Sequence, residues 1–245
     1  MAIQRLDRLL SDAHGVSRRE AKALLRAGRV TVNGVPERDP ERKIDTSCDT
    51  VAADGTALDL RPFRYYMLHK PAGILSATED RTQKTVLELL PPEARRPGLA
   101  PVGRLDKDTT GLLLLTDDGA LAHTLISPKR HVPKVYRALL DAPADAGMAA
   151  AFAAGLVLGD GTRCLPAVLE PICGGARITV YEGKYHQVKR MCAACGRTVT
   201  ALHRERFGAL TLDAALAPGQ WRELDAAELD ALRQGCTGKT DCAPL

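Results

Sequence analysis

The stretch GRLDKDTTGLLLLTDDG, residues 103–119, decides the fold and contains the strongest candidate for chemistry. The run Leu112–Leu115 predicts a short buried strand, and Asp117-Asp118-Gly119 predicts the turn that ends it. Asp106 therefore lies in a polar loop that enters a buried strand, two residues after Arg104. A nearby guanidinium favours the ionised carboxylate, and partial burial leaves it less hydrated. Such an aspartate either acts as a nucleophile or base without a metal, or only ties the loop to backbone amides.

The overall composition is that of a globular protein. The chain has 245 residues, of which 45% are apolar and 26% charged, enough for one large domain or two unequal ones. No apolar run approaches the roughly 20 residues that a bilayer-spanning helix needs, so we expect a cytoplasmic protein without a membrane partner. Seven cysteines, an odd number, indicate reduced thiols. The formal net charge of +4 permits a nucleic-acid partner without requiring one.

The first 60 residues predict a small domain, residues 1–60, with a basic end. Met1–Arg29 contains seven basic and three acidic residues, whereas Val30–Leu60 contains three basic and seven acidic. Ser17 and Glu20 have the spacing of a capping box and predict a helix start, and Asn33-Gly34 predicts a hairpin turn. The basic residues of that helix either contact RNA phosphates or form a solvated face; they are Arg18, Arg19, Lys22 and Arg26.

Residues 61–234 predict a second domain, of the α+β class. It follows a linker-like segment, Leu60-Arg61-Pro62-Phe63, and consists of short apolar strands with a few helices between them. Because there is no repeat and no regular strand–helix alternation, a mixed sheet is favoured over a doubly wound parallel sheet. The last residues, 235–245, are small and polar and predict a disordered tail.

Two further stretches concentrate basic residues. EGKYHQVKRMCAACG, residues 182–196, predicts a turn and then a helix that Gly196 ends. Lys184–Arg206 contains six basic residues and one acidic, a patch that either contacts phosphates or is a solvated face. SPKRHVPKVY, residues 127–136, predicts a basic loop followed by a strand that carries Tyr136.

Cys192 and Cys195 have the spacing of zinc ligands, and His186 precedes them, as in zinc-dependent nucleobase deaminases. That signature, however, requires His-x-Glu and a proline before the first cysteine. Val188 stands in place of the glutamate and Met191 in place of the proline. We therefore expect the two cysteines to pack one face of a helix, and we predict no metal.

The stretches around Asp106, Tyr136 and Lys189 resemble the three active-site motifs of the pseudouridine synthases, in particular those of the RsuA-type branch. The resemblance implies that Asp106 is the essential residue and that Arg104 helps to displace the target base. It also implies that Tyr136 packs on that base and that Lys189 pairs with the aspartate. Arg190, the next basic residue, is the alternative partner.

The resemblance covers nearly the whole chain. The first 60 residues resemble the S-four-like RNA-binding domain, which makes the four basic helix residues candidate RNA contacts. His186, Gln187 and Arg190 are further candidates for contact with substrate RNA. The implied architecture is α+β, with a small S-four-like domain and a catalytic domain whose mixed, mostly antiparallel sheet is flanked by helices.

The implied reaction converts a flipped-out uridine to pseudouridine without a metal, nucleotide or redox cofactor. Asp106 either attacks the ribose, adds to the uracil ring or removes a ribose C2′ proton. Gly103 before Arg-Leu-Asp favours 16S ribosomal RNA, with uridine 516 as the implied target, over 23S ribosomal RNA. The expected partner is ribosomal RNA, alone or within a small-subunit assembly particle, and the expected state is a monomer. A non-catalytic RNA-binding assembly factor fits the basic patches equally well.

Overall fold

The computed structural model describes residues 3–46 and 48–237 of the chain. It divides into two compact units between Phe63 and Arg64. Across these described residues, every helix is too short or too polar to cross a membrane.

The first unit is a small helical and β-hairpin module. Its helix α2 begins with the capping box that the sequence predicted, since the Ser17 hydroxyl accepts a hydrogen bond from the Glu20 amide and the Glu20 carboxylate accepts one from the Ser17 amide. Asn33 and Gly34 both have positive φ and form the predicted hairpin turn. The elements are β1 (Ile3–Arg5), α1 (Leu6–His14), α2 (Arg18–Arg26), β2 (Val30–Val32), β3 (Val35–Pro36), β4 (Lys43–Asp45), β5 (Val51–Ala53) and β6 (Thr56–Ala57).

The apolar face of this unit is buried and its basic face is left outside. Leu6, Leu10, Leu25 and Ile44 have no exposed surface and form the core with their apolar neighbours. Because the helix period is 3.6 residues, burying Ala21 and Leu25 turns the basic positions of α2 outwards. The side chains that face outwards in this way are Arg18, Arg19 and Arg26, with Lys22 partly covered.

The second unit is built on a nine-stranded sheet with helices around it. Its strands are β7 (Tyr65–Lys70), β8 (Ala100–Pro101), β9 (Thr110–Thr116), β10 (Lys134–Leu140), β11 (Val168–Ile172), β12 (Gly175–Val180), β13 (Val199–Phe207), β14 (Leu210–Thr211) and β15 (Trp221–Glu223). Its α-helices are α3 (Gly119–Ile126), α4 (Ala146–Ala154), α5 (Gln187–Ala194) and α6 (Ala226–Thr237).

The main path of the sheet has the order β11-β12-β10-β13-β9-β7-β15. β9 and β13 pair in parallel, whereas the other pairs along this path are antiparallel. The predicted α+β class with a mixed, mostly antiparallel sheet is confirmed. The single parallel pair of this path has a geometric consequence, because parallel strands begin at the same edge of a sheet. The loop before β9 and the helix α5, which precedes β13, are thereby brought to one edge.

The leucine run of β9 is buried on both faces of the sheet, as the sequence predicted. Leu113 and Leu115 pack in the core that contains Tyr136, whereas Leu112 and Leu114 pack in a second core on the other side. Both arrangements follow from the two-residue period of a strand, which sends successive side chains to opposite faces.

Two local predictions need correction. Asp117-Asp118-Gly119 is more than a turn, since the Asp118 carboxylate accepts a hydrogen bond from the Leu121 amide at 3.0 Å and caps α3. The predicted disordered tail, 235–245, begins too early, because residues 235–237 form the last turn of α6. Residues 238–245 lie outside the described part of the chain.

The parallel contact between β9 and β13 requires a glycine at position 111. Gly111 has a φ of 108° and pairs with Arg204. A Cβ at this position would lie 2.6 Å from the amide nitrogen of Arg204. That separation is far inside van der Waals contact, so any side chain would force the two strands apart.

We predict that Gly111→Ala destabilises the second unit by about 3 kcal/mol or more, from left-handed backbone strain and from overpacking against a strand. The control is Gly219→Ala, since Gly219 also has positive φ but a Cβ there would meet no residue beyond its chain neighbours within 4 Å. It should cost only the backbone strain, about 1–2 kcal/mol. Chemical denaturation measures both. Equal losses for the two variants would contradict a close-approach role for Gly111.

Candidate active site

A small cavity of about 80 Å³ lies where β9 begins. The loop before β9, strand β10 and the turn before α5 contribute its walls, so the three stretches singled out in the sequence meet here. Its lining includes Arg104, Asp106, Thr109, Tyr136, Glu182, Lys184, His186 and Gln187. The Thr109 hydroxyl is buried and has no hydrogen-bond partner within the described chain.

Asp106 is one of the two carboxylates that line this cavity, the other being Glu182. The Asp106 side chain is 28% exposed, so it is partly shielded from water without being sealed from a substrate. The Lys189 ammonium lies 3.4 Å from Asp106 Oδ2, and His186 Nε2 lies 3.5 Å from Asp106 Oδ1. The Lys189 ammonium therefore places a positive charge beside the Asp106 carboxylate.

Lys189 also contacts the second aspartate of the loop. Its Nζ donates a hydrogen bond to Asp108 Oδ1 at 2.6 Å. This hydrogen bond holds the pKa of the Asp108 carboxyl below its ordinary value. Asp108 is 73% exposed and contacts Lys189 from the solvent side, whereas Asp106 lines the cavity.

The choice between Lys189 and Arg190 as partner of Asp106 follows from the geometry of α5. Successive helix residues point about 100° apart, so both cannot face the loop. Arg190 instead forms an ion pair of 2.6 Å with Asp160. Lys189 is the residue that the helix places beside Asp106.

Tyr136 and Arg104 occupy the wall and the rim of the cavity. Tyr136 is only 9% exposed and lies on β10, between its cross-strand neighbours Ile178 and Arg204. Arg104 is exposed, and within residues 3–46 and 48–237 its guanidinium forms no hydrogen bond or ion pair. A free cation at the rim and a ring in the wall are suited to a polyanionic substrate that inserts one flat group.

Gln187 has a structural position that the sequence did not predict. It is buried at 5% exposure, and its amide donates a hydrogen bond to Glu182 Oε1 at 2.9 Å. Its oxygen accepts one from the Lys184 amide at 2.9 Å. The side chain that we expected to contact RNA is therefore used to fix the turn before α5.

Glu182 is the anchor of that turn. Its carboxylate is buried and also accepts a hydrogen bond from the Leu165 amide at 2.9 Å, besides pairing with Lys184. A buried carboxylate with several donors rigidifies its surroundings, because breaking any one contact leaves a charge poorly solvated. The sequence offered no signal for this role, since an isolated glutamate before a glycine is ordinary on a surface.

Lys70 supports the loop before β9 through its ammonium group. It has no exposed surface, and its ammonium donates hydrogen bonds to the carbonyl oxygens of Pro71, Lys107 and Thr109 at 3.0, 3.2 and 2.9 Å. Burial lowers the pKa of Lys70 to about 8, although the charges of Asp108 and Asp106 oppose this shift. No local sequence pattern indicates these partners, because two of them lie 37 and 39 residues away along the chain and all are backbone carbonyls.

The cysteine pair does not have the arrangement of a zinc deaminase site. Cys192 is buried in the apolar core of the second unit, where burial raises the pKa of its thiol to about 12. His186, the third candidate ligand, faces Asp106 instead. The donor set therefore fits packing better than metal binding.

Two larger grooves have volumes of about 740 and 660 Å³. The first is lined by residues such as Val135 and His203, and the second by Arg137 together with Asp108 and Lys189. Neither groove is lined by Asp106 or Tyr136. Size therefore does not identify the site here. The small cavity is the candidate because it alone among these three combines the carboxylate and the ring.

We predict that replacing Lys70 makes stability less dependent on pH. In the unfolded chain Lys70 has its ordinary pKa of 10.5, whereas in the native state its pKa is about 8. Between these values the unfolded chain binds more protons, so the contribution of Lys70 to the free energy of unfolding rises with pH. Urea denaturation should show wild type gaining stability relative to Lys70→Met from about pH 8 to about pH 10. A pH-independent difference would contradict a buried, titrating Lys70.

Comparison with known proteins assigns both units to families. Residues 64–194 match the model of the RNA pseudouridylate synthases, and residues 4–51 match the S4 domain. The ribosomal small subunit pseudouridine synthase A of Vibrio cholerae is 46% identical over 231 residues, covering 93% of this chain and 99% of the relative. The protein of the same name from Escherichia coli K12 is 45% identical over 229 residues, covering 92% and 98%.

Another relative and a solved structure agree with this assignment. An uncharacterized RNA pseudouridine synthase of Bacillus subtilis, YtzG, is 44% identical over 235 residues, covering 94% of this chain and 98% of the relative. A crystal structure of a pseudouridylate synthase aligns with a TM-score of 0.65 at 36% identity, covering 93% of this chain and 99% of that one. The chain therefore belongs to the pseudouridine synthase family, in its RsuA-type branch, and is an enzyme that isomerises uridine in RNA.

Proposed function

We propose that this protein converts one uridine of 16S small-subunit ribosomal RNA to pseudouridine, with Asp106 as the essential residue. The observation that carries the proposal is the placement of the Asp106 carboxylate 3.4 Å from the Lys189 ammonium, in a cavity that Tyr136 also lines. The choice of 16S ribosomal RNA rests on the relatives named as small-subunit enzymes at 45% and 46% identity.

The target uridine enters the site by base flipping. A uridine in folded RNA is stacked, so its glycosidic bond is out of reach until the nucleotide is extruded, at a cost of a few kcal/mol. The cavity of about 80 Å³ has no room for a stacked helix. Tyr136 then packs on the extruded uracil, and Arg104 at the rim replaces it in the RNA or binds a flanking phosphate.

Asp106 is the reactive carboxylate. The Lys189 ammonium lies 3.4 Å from its Oδ2 and stabilises negative charge there. Attack on the ribose, addition to uracil and removal of the C2′ proton all require an unprotonated carboxylate, so the arrangement suits each of them. The C1′–N1 bond breaks, the uracil rotates within the cavity, and C5 bonds to C1′. The proton on C5 is then released, and N1 takes up a proton, so that the product is an isomer of uridine. The buried Thr109 hydroxyl, which lacks a partner in the described chain, is available to a polar edge of the uracil.

The first unit supplies affinity for the RNA backbone. Arg18, Lys22 and Arg26 follow one another at four-residue intervals on α2, and Arg19 lies three residues before Lys22. Residues at these spacings share one helix face, and four cations on one face form a phosphate-binding surface. The helix packs an adjacent face into the core through Ala21 and Leu25.

The target uridine, the partner and the working state are proposed from the resemblance of the three motifs to those of RsuA-type enzymes. We propose uridine 516 as the target, ribosomal RNA or a small-subunit assembly particle as the partner, and a cytoplasmic monomer as the working state. Mapping pseudouridines in ribosomal RNA from cells with and without the gene tests the target directly. Loss of a pseudouridine from 23S instead of 16S ribosomal RNA would contradict the substrate assignment.

We predict that Asp106→Asn abolishes pseudouridine formation while RNA binding stays within a few fold of wild type. The amide preserves shape but cannot serve as a base or nucleophile. Tritium release from 16S ribosomal RNA labelled at uracil C5 measures turnover. Asp108→Asn is the matched control, because Asp108 shares Lys189 but is 73% exposed and is not among the residues lining the cavity; it should retain turnover. Product from the Asp106 variant would remove that residue from the chemistry.

We predict that neutralising Arg18, Arg19 and Lys22 together weakens RNA binding and lowers its salt dependence. Each phosphate contact contributes about 0.7–0.9 to the slope of log Kd against log salt, so the slope should fall by about 2–3. Lys43→Gln, which removes an exposed charge elsewhere in the first unit, should leave it nearly unchanged. Filter binding over a salt series measures both, and a triple variant with the wild-type slope would exclude α2 from the phosphate-binding surface.

A further inference from the structure

Tyr185 is an aromatic residue that the catalytic account leaves unused. It is 75% exposed, more than any other large apolar side chain of the described chain. Burial normally stabilises a large aromatic side chain, so a ring that stays exposed to water lacks that stabilisation. This exposure is found beside the active site, because Tyr185 directly precedes His186, whose Nε2 lies 3.5 Å from Asp106.

The ring is held in place despite its exposure. Tyr185 stacks on the His186 imidazole with a centroid distance of 3.9 Å and an interplanar angle of 17°. His186 has a φ of 48°, a left-handed conformation unusual for a residue with a side chain. This backbone position lets one ring both stack on Tyr185 and approach Asp106.

The backbone on both sides of Tyr185 is fixed by the buried Glu182 and Gln187 contacts described above. In addition, Arg190 Nη1 approaches the carbonyl oxygen of Tyr185 at 3.4 Å. The ring is therefore presented on a turn that is anchored in the core, and its ordering costs little when a partner binds. One face of Tyr185 is covered by His186, which leaves the opposite face for a ligand.

The chemistry of that open face points to a nucleobase. The surrounding chain from Lys184 to Arg206 is strongly basic, so the ring lies in a surface that attracts a polyanion. Flipping a uridine also leaves its neighbours without a stacking partner, and an aromatic ring can replace that contact for any base.

We propose that Tyr185, stacked on His186, is a positioning residue that binds a nucleobase flanking the flipped uridine. This inference rests on the proposed function and adds a second aromatic contact to it. Tyr136 packs on the base that reacts, within the cavity. Tyr185 packs on a base that stays outside, and thereby fixes the RNA strand at the cavity entrance.

Kinetics of Tyr185 variants on a 16S ribosomal RNA transcript test this inference. Tyr185→Leu should raise KM and Kd roughly 5-fold to 150-fold, the range for loss of one base–aromatic stack, with kcat changed much less. Tyr185→Phe and Tyr185→Trp should recover most of the loss, because they restore a π-face. The slope of log Kd against log salt should stay at the wild-type value in Tyr185→Leu, since no phosphate contact is removed.

Val157→Ala is the matched control, because Val157 is 57% exposed and is not among the residues that line the cavity. It should leave KM unchanged. If Tyr185→Leu matches wild type, or if Phe and Trp fail to recover its loss, the stacking role is wrong while the proposed function stands. If wild type forms no pseudouridine in the transcript or in small-subunit particles, the proposed function itself fails, and Kd of the same variants still measures stacking.

Discussion

The approach of Lys189 to Asp106 is the contact on which the rest of the site depends. It joins the loop before β9 to the helix before β13, two segments that are distant in sequence. The sheet makes this contact possible, because β9 and β13 run parallel and begin at the same edge. Gly111 allows these strands to approach, and the buried Lys70 holds the loop from beneath through three carbonyl oxygens. A cation paired to a carboxylate at 3.4 Å is thus the outcome of several constraints in the sheet.

The same sheet explains why an aromatic ring lies beside the carboxylate. β12 ends at Val180, which pairs with Lys134 at the start of the antiparallel β10. The turn that follows β12 therefore lies next to Tyr136, and it leads directly into α5. The Asp106 loop precedes β9, Tyr136 lies on β10, and the turn before α5 follows β12. No one of the three motifs therefore forms the cavity alone. Glu182 and Gln187 are buried beneath the turn before α5, and the hydrogen bond between them stabilises that turn.

Chemistry and affinity are assigned to different parts of the chain. In the proposed function, the carboxylate and the small cavity of the second unit recognise one nucleotide. The exposed cations on α2 of the first unit bind backbone phosphates, which carry no sequence information. The proposed stacking on Tyr185 is intermediate in selectivity between these two modes of recognition. It accepts any base, but it requires the base to lie in one position. Selection of one uridine in a long RNA then requires shape, charge and base extrusion together.

The sequence by itself determined the two-domain order, the buried strand of the leucine run and the α2 capping box, and it identified Asp106 and Tyr136 as candidate site residues. These follow from local periodicity, capping chemistry and the resemblance of short motifs. Only the tertiary structure decided that Lys189 faces Asp106 while Arg190 turns to Asp160, and that Gln187 is a buried brace. It alone placed Lys70 under the loop. The physical reason is that burial and partner choice depend on which strands are neighbours, and strand order is a long-range property that local patterns do not encode.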